Sequence, residues 1–338
     1  MTGVDELLAA ARAGDDRAYG ELIAPHRVEL QAYCYRMLGS SLDAEDALQE
    51  ALLGAWRGLD RFEGRSSVRT WLYRIATNAC LKLIERRPRR VLPIDYGPSA
   101  DPHGDRLVPV TESVWVEPYP ADRLLSDTRD TPESRYEQLE SVELAFVAAL
   151  QHLAPAQRAV LILRDVLGFS GDETAHMLGM TATSVYSSLQ RAHRAVAERT
   201  PEPSQQAALR ALGDDELTAI VARFIDAWQR ADIDGLVALL TDDATFSMPP
   251  MPEWYTGHRD IAEFLARRPL ASSNRWRMIP TRANGQAAIG HYLWDDERAA
   301  YLPHSLAVLS LRGDQLCAVV AFFVPEVVFA DFGLPEVA

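Results

Sequence analysis

Residues 170–199 read SGDETAHMLGMTATSVYSSLQRAHRAVAER. The run predicts two helices joined by a tight turn. The first is amphipathic and ends near Leu178-Gly179. Thr181, a good N-cap, opens the second, which carries Arg191 and Arg194. Helices joined in this way let the second one lie in a DNA major groove. On it, Thr183, Ser184, Ser187 and Ser188 are expected to face bases or phosphates, with Gln190, Arg191 and Arg194 further along.

Far upstream, residues 43–90 form a second block of interest. Asp43, Glu45 and Asp46 place acid in a first helical turn, where the helix dipole favours it. Leu48, Ala51, Leu52, Ala55, Trp56 and Leu59 supply an apolar face. The next helix follows Gly64-Arg65-Ser66-Ser67 and is stopped by Pro88. It carries Arg69, Trp71, Tyr73, Arg74, Asn78 and Lys82. Aromatics and Asn can stack on and read unpaired bases while cations grip the backbone. A tryptophan such as Trp71 is more often core than a base platform. The block ends in Glu85-Arg86-Arg87-Pro88-Arg89-Arg90, whose arginines suit phosphates.

The whole chain nevertheless carries a net charge of −14 over 338 residues. Residues 1–90 have 14 basic and 13 acidic side chains, residues 91–135 have 4 and 9, residues 136–200 have 5 and 7, and residues 201–338 have 11 and 19. Phosphate neutralisation supplies most non-specific affinity, so such a chain binds free duplex DNA poorly. Either a partner supplies the affinity or DNA is not the ligand. The apolar fraction of 48% excludes global disorder. No apolar run approaches the roughly 18 residues of a membrane span, and the N-terminus lacks the basic start of a secretory signal. Cys34, Cys80 and Cys317 match no metal or redox spacing and read as free thiols of a reducing cytoplasm.

Four segments follow. Residues 1–90 are helical throughout. Residues 91–135 are Pro-rich, acidic and without periodicity, an extended linker; Trp115-Val116-Glu117-Pro118-Tyr119-Pro120 within it is aromatic enough to dock on something. Residues 136–200 form a second helical domain containing the helix–turn–helix. Residues 204–338 begin with two helices (217–231 and 233–240). Apolar or alternating runs at 244–248, 275–280, 287–294, 305–311 and 315–324 follow, as in a curved sheet covered by helices.

Tyr35-Arg36-Met37-Leu38-Gly39, residues 43–50 (DAEDALQE), residues 61–78 (RFEGRSSVRTWLYRIATN), residues 153–161 (LAPAQRAVL) and Ser188-Leu189-Gln190-Arg191-Ala192 resemble, in order, the two conserved domains of extracytoplasmic-function (ECF) sigma factors of bacterial RNA polymerase. The resemblance implies that the helix of Asp46, Gln49, Glu50 and Trp56 binds a coiled coil of the polymerase β′ subunit. It implies that the first domain recognises and opens the promoter −10 element through Arg69, Trp71, Arg74, Asn78, Arg86, Arg87, Arg89 and Arg90. The second domain would read the −35 element through Thr183, Ser184, Ser187, Gln190, Arg191 and Arg194. Tyr186, His193 and Gly54 depart from the family pattern, where small polar or basic residues are usual.

The C-terminal stretch, with Leu239-Leu240-Thr241-Asp242-Asp243-Ala244-Thr245-Phe246 and Trp254-Tyr255-Thr256-Gly257-His258-Arg259-Asp260-Ile261, is similar to SnoaL-like polyketide cyclases and their NTF2-like cone. Trp254, Tyr255, Trp276, Tyr292 and Trp294 would line its pocket, taking a small-molecule ligand. The expected fold is thus two all-α domains plus an α+β cone. The expected function is a cytoplasmic, promoter-specific sigma factor that binds core RNA polymerase and promoter DNA, with a regulatory C-terminal domain, no metal and no cofactor. The alternative is a repurposed scaffold whose cone performs cofactor-free acid–base catalysis (cyclisation, epoxide opening or isomerisation) with Asp243, His258, His291, Asp295 or His304.

Overall fold

The computed structural model describes residues 2–105, 108–112, 114–121, 124, 132–271 and 274–338. Its helices are α1 (Thr2–Arg12), α2 (Asp16–Ile23), α3 (Arg27–Leu38), α4 (Ser41–Gly58), α5 (Val68–Ile84), α6 (Pro93–Tyr96), α7 (Pro132–Glu140), α8 (Leu144–Gln151), α9 (Pro155–Leu161), α10 (Gly171–Leu178), α11 (Ala182–Ala197), α12 (Gln205–Leu212), α13 (Asp214–Gln229), α14 (Ile233–Val237) and α15 (Gly257–Arg267). The strands are β1 (Leu240–Ser247), β2 (Trp254–Thr256), β3 (Trp276–Ala283), β4 (Gln286–Asp295), β5 (Ala300–Arg312) and β6 (Gln315–Phe322). Two compact units result: Met1–Arg90 with Ala145–Thr200, and Val91–Leu144 with Pro201–Ala338. Residues 91–144 therefore fold with the C-terminal unit, so α7 stands apart from the helix–turn–helix domain in which the sequence places it.

In the first unit, caps fix the helix starts. Ser40 Oγ accepts the Asp43 amide at 3.1 Å, so α4 begins at Ser41 and carries Asp43 inside its first turn. Ser67 does the same for α5 through the Thr70 amide. Ser170 and Glu173 form a reciprocal capping box on α10. That helix ends on Gly179 at φ 63°, a left-handed conformation glycine adopts without penalty. Thr181 Oγ1 then accepts the Ser184 amide and starts α11. Val160 of α9 packs with Ala175 and Val185, giving the two-helix module its own core. The two halves of the unit are joined through α3. The Gln151 amide donates to the Arg36 carbonyl at 3.1 Å, and the Arg158 guanidinium donates to the Met37 carbonyl.

The second unit is built on a six-stranded sheet in the order β2-β1-β6-β5-β4-β3, antiparallel except for the parallel β1–β6 pair. β2 and the first third of β5 were not legible in the sequence. On β4, side chains alternate. Ala287 and Ile289 join Phe224 and Trp228 of α13, Phe246, and Ile261 and Phe264 of α15 in the main core. Tyr292 faces the other way, edge-on to Phe329 at 5.4 Å, and donates to the Pro335 carbonyl. Gly290 permits this cover: a Cβ there would lie 2.6 Å from Leu334.

The described part of the Pro-rich stretch, through Tyr119, is docked rather than free. Val91 pairs with Trp115 in an isolated bridge, and Val116 and Tyr119 are buried. Asn284, at φ 55° in the β3–β4 turn, holds it. Its Oδ1 accepts the Tyr119 amide at 2.9 Å, its own amide donates to the Tyr119 carbonyl at 2.8 Å, and its Nδ2 donates to the Val142 carbonyl at 2.8 Å.

Candidate nucleic-acid and polymerase interfaces

α4 presents one solvent face on which Asp46, Gln49 and Glu50 are exposed. Leu42 and Leu53 flank them at 61% and 51% exposure. Positions 42, 46, 49, 50 and 53 fall on one helical stripe. The two leucines were missed by sequence reasoning, although the same spacing could have found them. Trp56 borders this stripe, half-buried and edge-on to Tyr19 at 4.9 Å.

On α5, Arg74 and Asn78 are exposed, and so are Arg86 and Arg89 beyond the helix. Trp71 is half-buried against Phe62 and packs on the cluster of Ala11, Leu22 and Leu59. Arg69 is fully engaged. It bonds Glu29 at 3.3 Å and the Leu167 carbonyl at 3.2 Å, and its guanidinium lies 4.3 Å from the centre of the Phe169 ring. Thr70 Oγ1 donates to Glu173 Oε1 at 3.3 Å, and Tyr73 meets Phe169 edge-on at 5.1 Å. The helix expected on single-stranded DNA is thus met by residues 167–173 of the second half.

The arginine cluster is split in a way the sequence does not reveal. Arg87 and Arg90 both donate to the Asp43 carboxylate, and Arg90 is buried. In this arrangement they neutralise an internal acid rather than face phosphates. Arg89 has no ion-pair partner among the described residues.

On α11, Thr183, Gln190, Arg191 and Arg194 are exposed and Ser184 and Ser187 half-buried. Ser188 is buried and accepts a hydrogen bond from Arg191 at 3.3 Å, which removes it from the expected reading face. Neither Arg191 nor Arg194 forms an ion pair among the described residues. His193 pairs with Asp165 and ties α11 to the turn after α9. Tyr186, an exposed aromatic, borders this face.

The cone does not assemble the expected site. Asp243 is exposed and paired with Arg312, whose hydrogen bond helps hold its carboxyl below the usual range after that of Thr241. Asp295 caps a turn at the Arg298 amide. His258 Nε2 lies 3.1 Å from the Leu240 carbonyl. His304 stacks edge-on with Trp276 and Phe323. His291 is the deeply buried one: its Nδ1 lies 3.2 Å from Ser305 Oγ, and burial, with some contribution from His304, pushes its pKa down to about 3. His291 Nε2 and Trp228 Nε1 have no hydrogen-bond partner among the described residues. No buried His–Asp pair forms among these candidates.

The expected pocket wall is dispersed as well. Trp254 donates to the Gly97 carbonyl, Trp294 meets Tyr301 edge-on, and Tyr292 lies on the opposite face of the sheet. Tyr255 is stacked on Phe264 in the core. Of the five, Trp276 approaches His291 edge-on, and Trp228 of α13 lies against the same imidazole with ring centres 5.0 Å apart. Among the described residues no group of three or more His, Cys, Asp or Glu could hold a metal ion, and no helix is long and apolar enough to cross a membrane.

A helical unit carrying a helix–turn–helix and a second helical half ending in an arginine cluster, followed by an NTF2-like cone, defines a sigma-type transcription factor with an appended domain. The chain matches Sigma-70 region 2 over residues 22–90, Sigma-70 region 4 over residues 143–196 and the SnoaL-like domain over residues 221–319. It is 44% identical over 330 residues to the ECF RNA polymerase sigma factor SigG of Mycobacterium tuberculosis, covering 97% of this chain and 86% of that one. It is 33% identical over 194 residues to SigM of the same species, covering 57% of this chain and 82% of that one. The crystal structure of M. tuberculosis ECF sigma factor SigJ shares the fold at TM-score 0.55 and 20% identity, covering 91% of this chain and 97% of that one. The chain belongs to the ECF family of RNA polymerase sigma factors. It is a promoter-specific sigma factor with a SnoaL-like C-terminal domain.

Proposed function

We propose that the exposed stripe of α4 docks on the β′ coiled coil of core RNA polymerase, and that α11 then reads −35 DNA while α5 engages the −10 segment. The observation carrying this reading is the solvent-facing row Leu42, Asp46, Gln49, Glu50 and Leu53: acids set between two exposed leucines suit a basic, partly apolar partner. The polymerase supplies the DNA affinity that a chain of net charge −14 lacks. Action on promoter DNA places the protein in the cytoplasm. Charge reversal by Asp46→Lys with Glu50→Lys is expected to abolish comigration with core polymerase while leaving the far-UV spectrum unchanged. Undiminished comigration refutes the docking surface.

The C-terminal unit, on this reading, regulates without catalysis. A histidine with a pKa near 3 is a poor base at neutral pH, and the remaining candidates sit in ion pairs, turns and ring contacts. The fringe of the interior aromatic cluster, Trp276, His304 and Phe323, is where a small planar ligand would be held. Regulation acts through the linker. Residues 91–144 join the two halves of the first unit, yet they are built into the second. Holding them there restricts how far the DNA-reading halves separate, at the high effective concentration of a tethered contact. Asn284→Gly removes both side-chain hydrogen bonds to the linker and keeps the left-handed backbone free of strain. It is expected to raise promoter-dependent transcription with core binding intact; unchanged transcription refutes the regulatory role of this contact.

A further inference from the structure

A cavity of about 210 Å³ lies within the first unit, between the end of α5 with its following Pro88–Arg90 segment and the α8–α9 turn. Its lining includes Arg87, Arg89, Arg90 and Arg158, with Asp43 as the only acid. Four arginines and one carboxylate thus share the lining. Asp43 binds Arg87 and Arg90, leaving Arg89 and Arg158 without a counter-charge among the described residues.

Arg158 is held as part of a built site. Its Nη atoms donate to the Met37 carbonyl, to the Gln151 side chain, to the Gln151 carbonyl at 3.0 Å and to the Leu153 carbonyl at 3.3 Å. These bonds occupy both Nη groups and hold the guanidinium in place, so Nε is the donor that remains. Its Nε is buried and has no hydrogen-bond partner among the described residues. Burial lowers this arginine's pKa to about 10, and the neighbouring Arg89 charge adds to the effect. Exposed Arg89 stands at the rim, while Leu38, Leu83 and Pro155 contribute apolar wall.

We propose that this cavity binds a small phosphate-bearing anion, of a size between inorganic phosphate and a sugar phosphate or pyrophosphate. Phosphate is the chemistry that several convergent guanidinium donors recognise. The volume falls below the roughly 300–1,000 Å³ typical of pockets for drug-sized ligands, which limits the ligand to that range. Its lining comes from both halves of the unit. A bound anion bridges Arg89 to Arg158 and stabilises the arrangement in which residues 167–173 engage Arg69 and Thr70. The proposal is independent of the α4 docking surface and of the linker contact.

The test is calorimetric titration of the full chain with sodium pyrophosphate, and separately with inorganic phosphate, at low ionic strength. One saturable site is expected, weakened by salt. Arg89→Ala, a change at an exposed side chain that leaves the fold intact, should weaken binding at least tenfold. Arg199→Ala, elsewhere on the same unit, should not. Hydrogen exchange should slow on binding at both 87–90 and 151–158. Absence of saturable binding, affinity unchanged by Arg89→Ala, or protection on one side only overturns the proposal. A promoter oligonucleotide that displaces pyrophosphate from the wild-type chain at one equivalent also overturns it, assigning the site to the DNA backbone instead.

Discussion

Replacing Asp43 by Ala tests the internal charge arrangement most directly. Asp43 and Arg90 side chains are only 5% and 6% exposed, whereas Arg87 is 36% exposed. Removing the carboxylate takes from the buried Arg90 cation its Asp43 counter-charge, and deleting one partner of a buried ion pair costs about 3–5 kcal/mol. Arg87 can swing into water, so its share is at most about 1 kcal/mol. The lost acid in the first turn of α4 adds roughly 0.3–1 kcal/mol. We expect Asp43→Ala to destabilise the first unit by about 4 kcal/mol. The assay is urea unfolding combined with hydrogen exchange at the amides of α4 and α5, which isolates this unit from the other. Asp43→Leu with Arg90→Met should recover most of the loss, because an apolar pair of similar volume replaces the ion pair at little net cost. A loss under about 1 kcal/mol for Asp43→Ala, or a double variant no better than the single one, refutes the reasoning and returns Arg87 and Arg90 to the pool of free phosphate contacts.

Glu143 should make the second unit pH-sensitive. Its carboxylate accepts the Gln206 amide at 2.6 Å at the start of α12, and burial raises its pKa from 4.5 to about 7. The folded state keeps the proton after the unfolded chain has lost it. The stabilising contribution is therefore full below pH 4.5 and is lost as pH rises through about 7, roughly 3 kcal/mol in all. Glu143→Gln should flatten this dependence, and parallel stability–pH curves for the two proteins would show that Glu143 is not its source. On α11, Arg191→Ala should cost about 1–3 kcal/mol in −35 binding if the side chain reads a base, and less if it touches only phosphate. Normal promoter-dependent transcription by an Arg191→Ala, Arg194→Ala variant would remove α11 from the reading role.

Much of the architecture is local, and local physics is written in the chain. Thr181 as a cap, Gly179 as a left-handed stop and the 3.6-residue spacing of apolar side chains place the helix–turn–helix without reference to anything distant. The long ordered motifs of residues 35–78 and 153–192 carry the family in the same way. The sheet of the C-terminal unit was legible in outline because β4 and β6 are apolar runs, but β2 is three residues long and too short to show a period.

Which side chains meet was decided by tertiary structure. Asp43, Arg87 and Arg90 each look like independent surface charges, and only the packing of α4 against the end of α5 makes them one buried group. Arg69 and Ser188 have residue types suited to nucleic acid, yet here Arg69 is engaged by the Leu167 carbonyl of another element and Ser188 is buried and bonded to Arg191 of its own helix. The aromatic wall expected of the cone dissolved for a related reason. On a strand, neighbours such as His291 and Tyr292 point to opposite faces, and which face is interior depends on what covers the sheet from the far ends of the chain. Sequence therefore determined the elements, their order and the family. The three-dimensional contacts determined which of the charged and aromatic residues remain free to act.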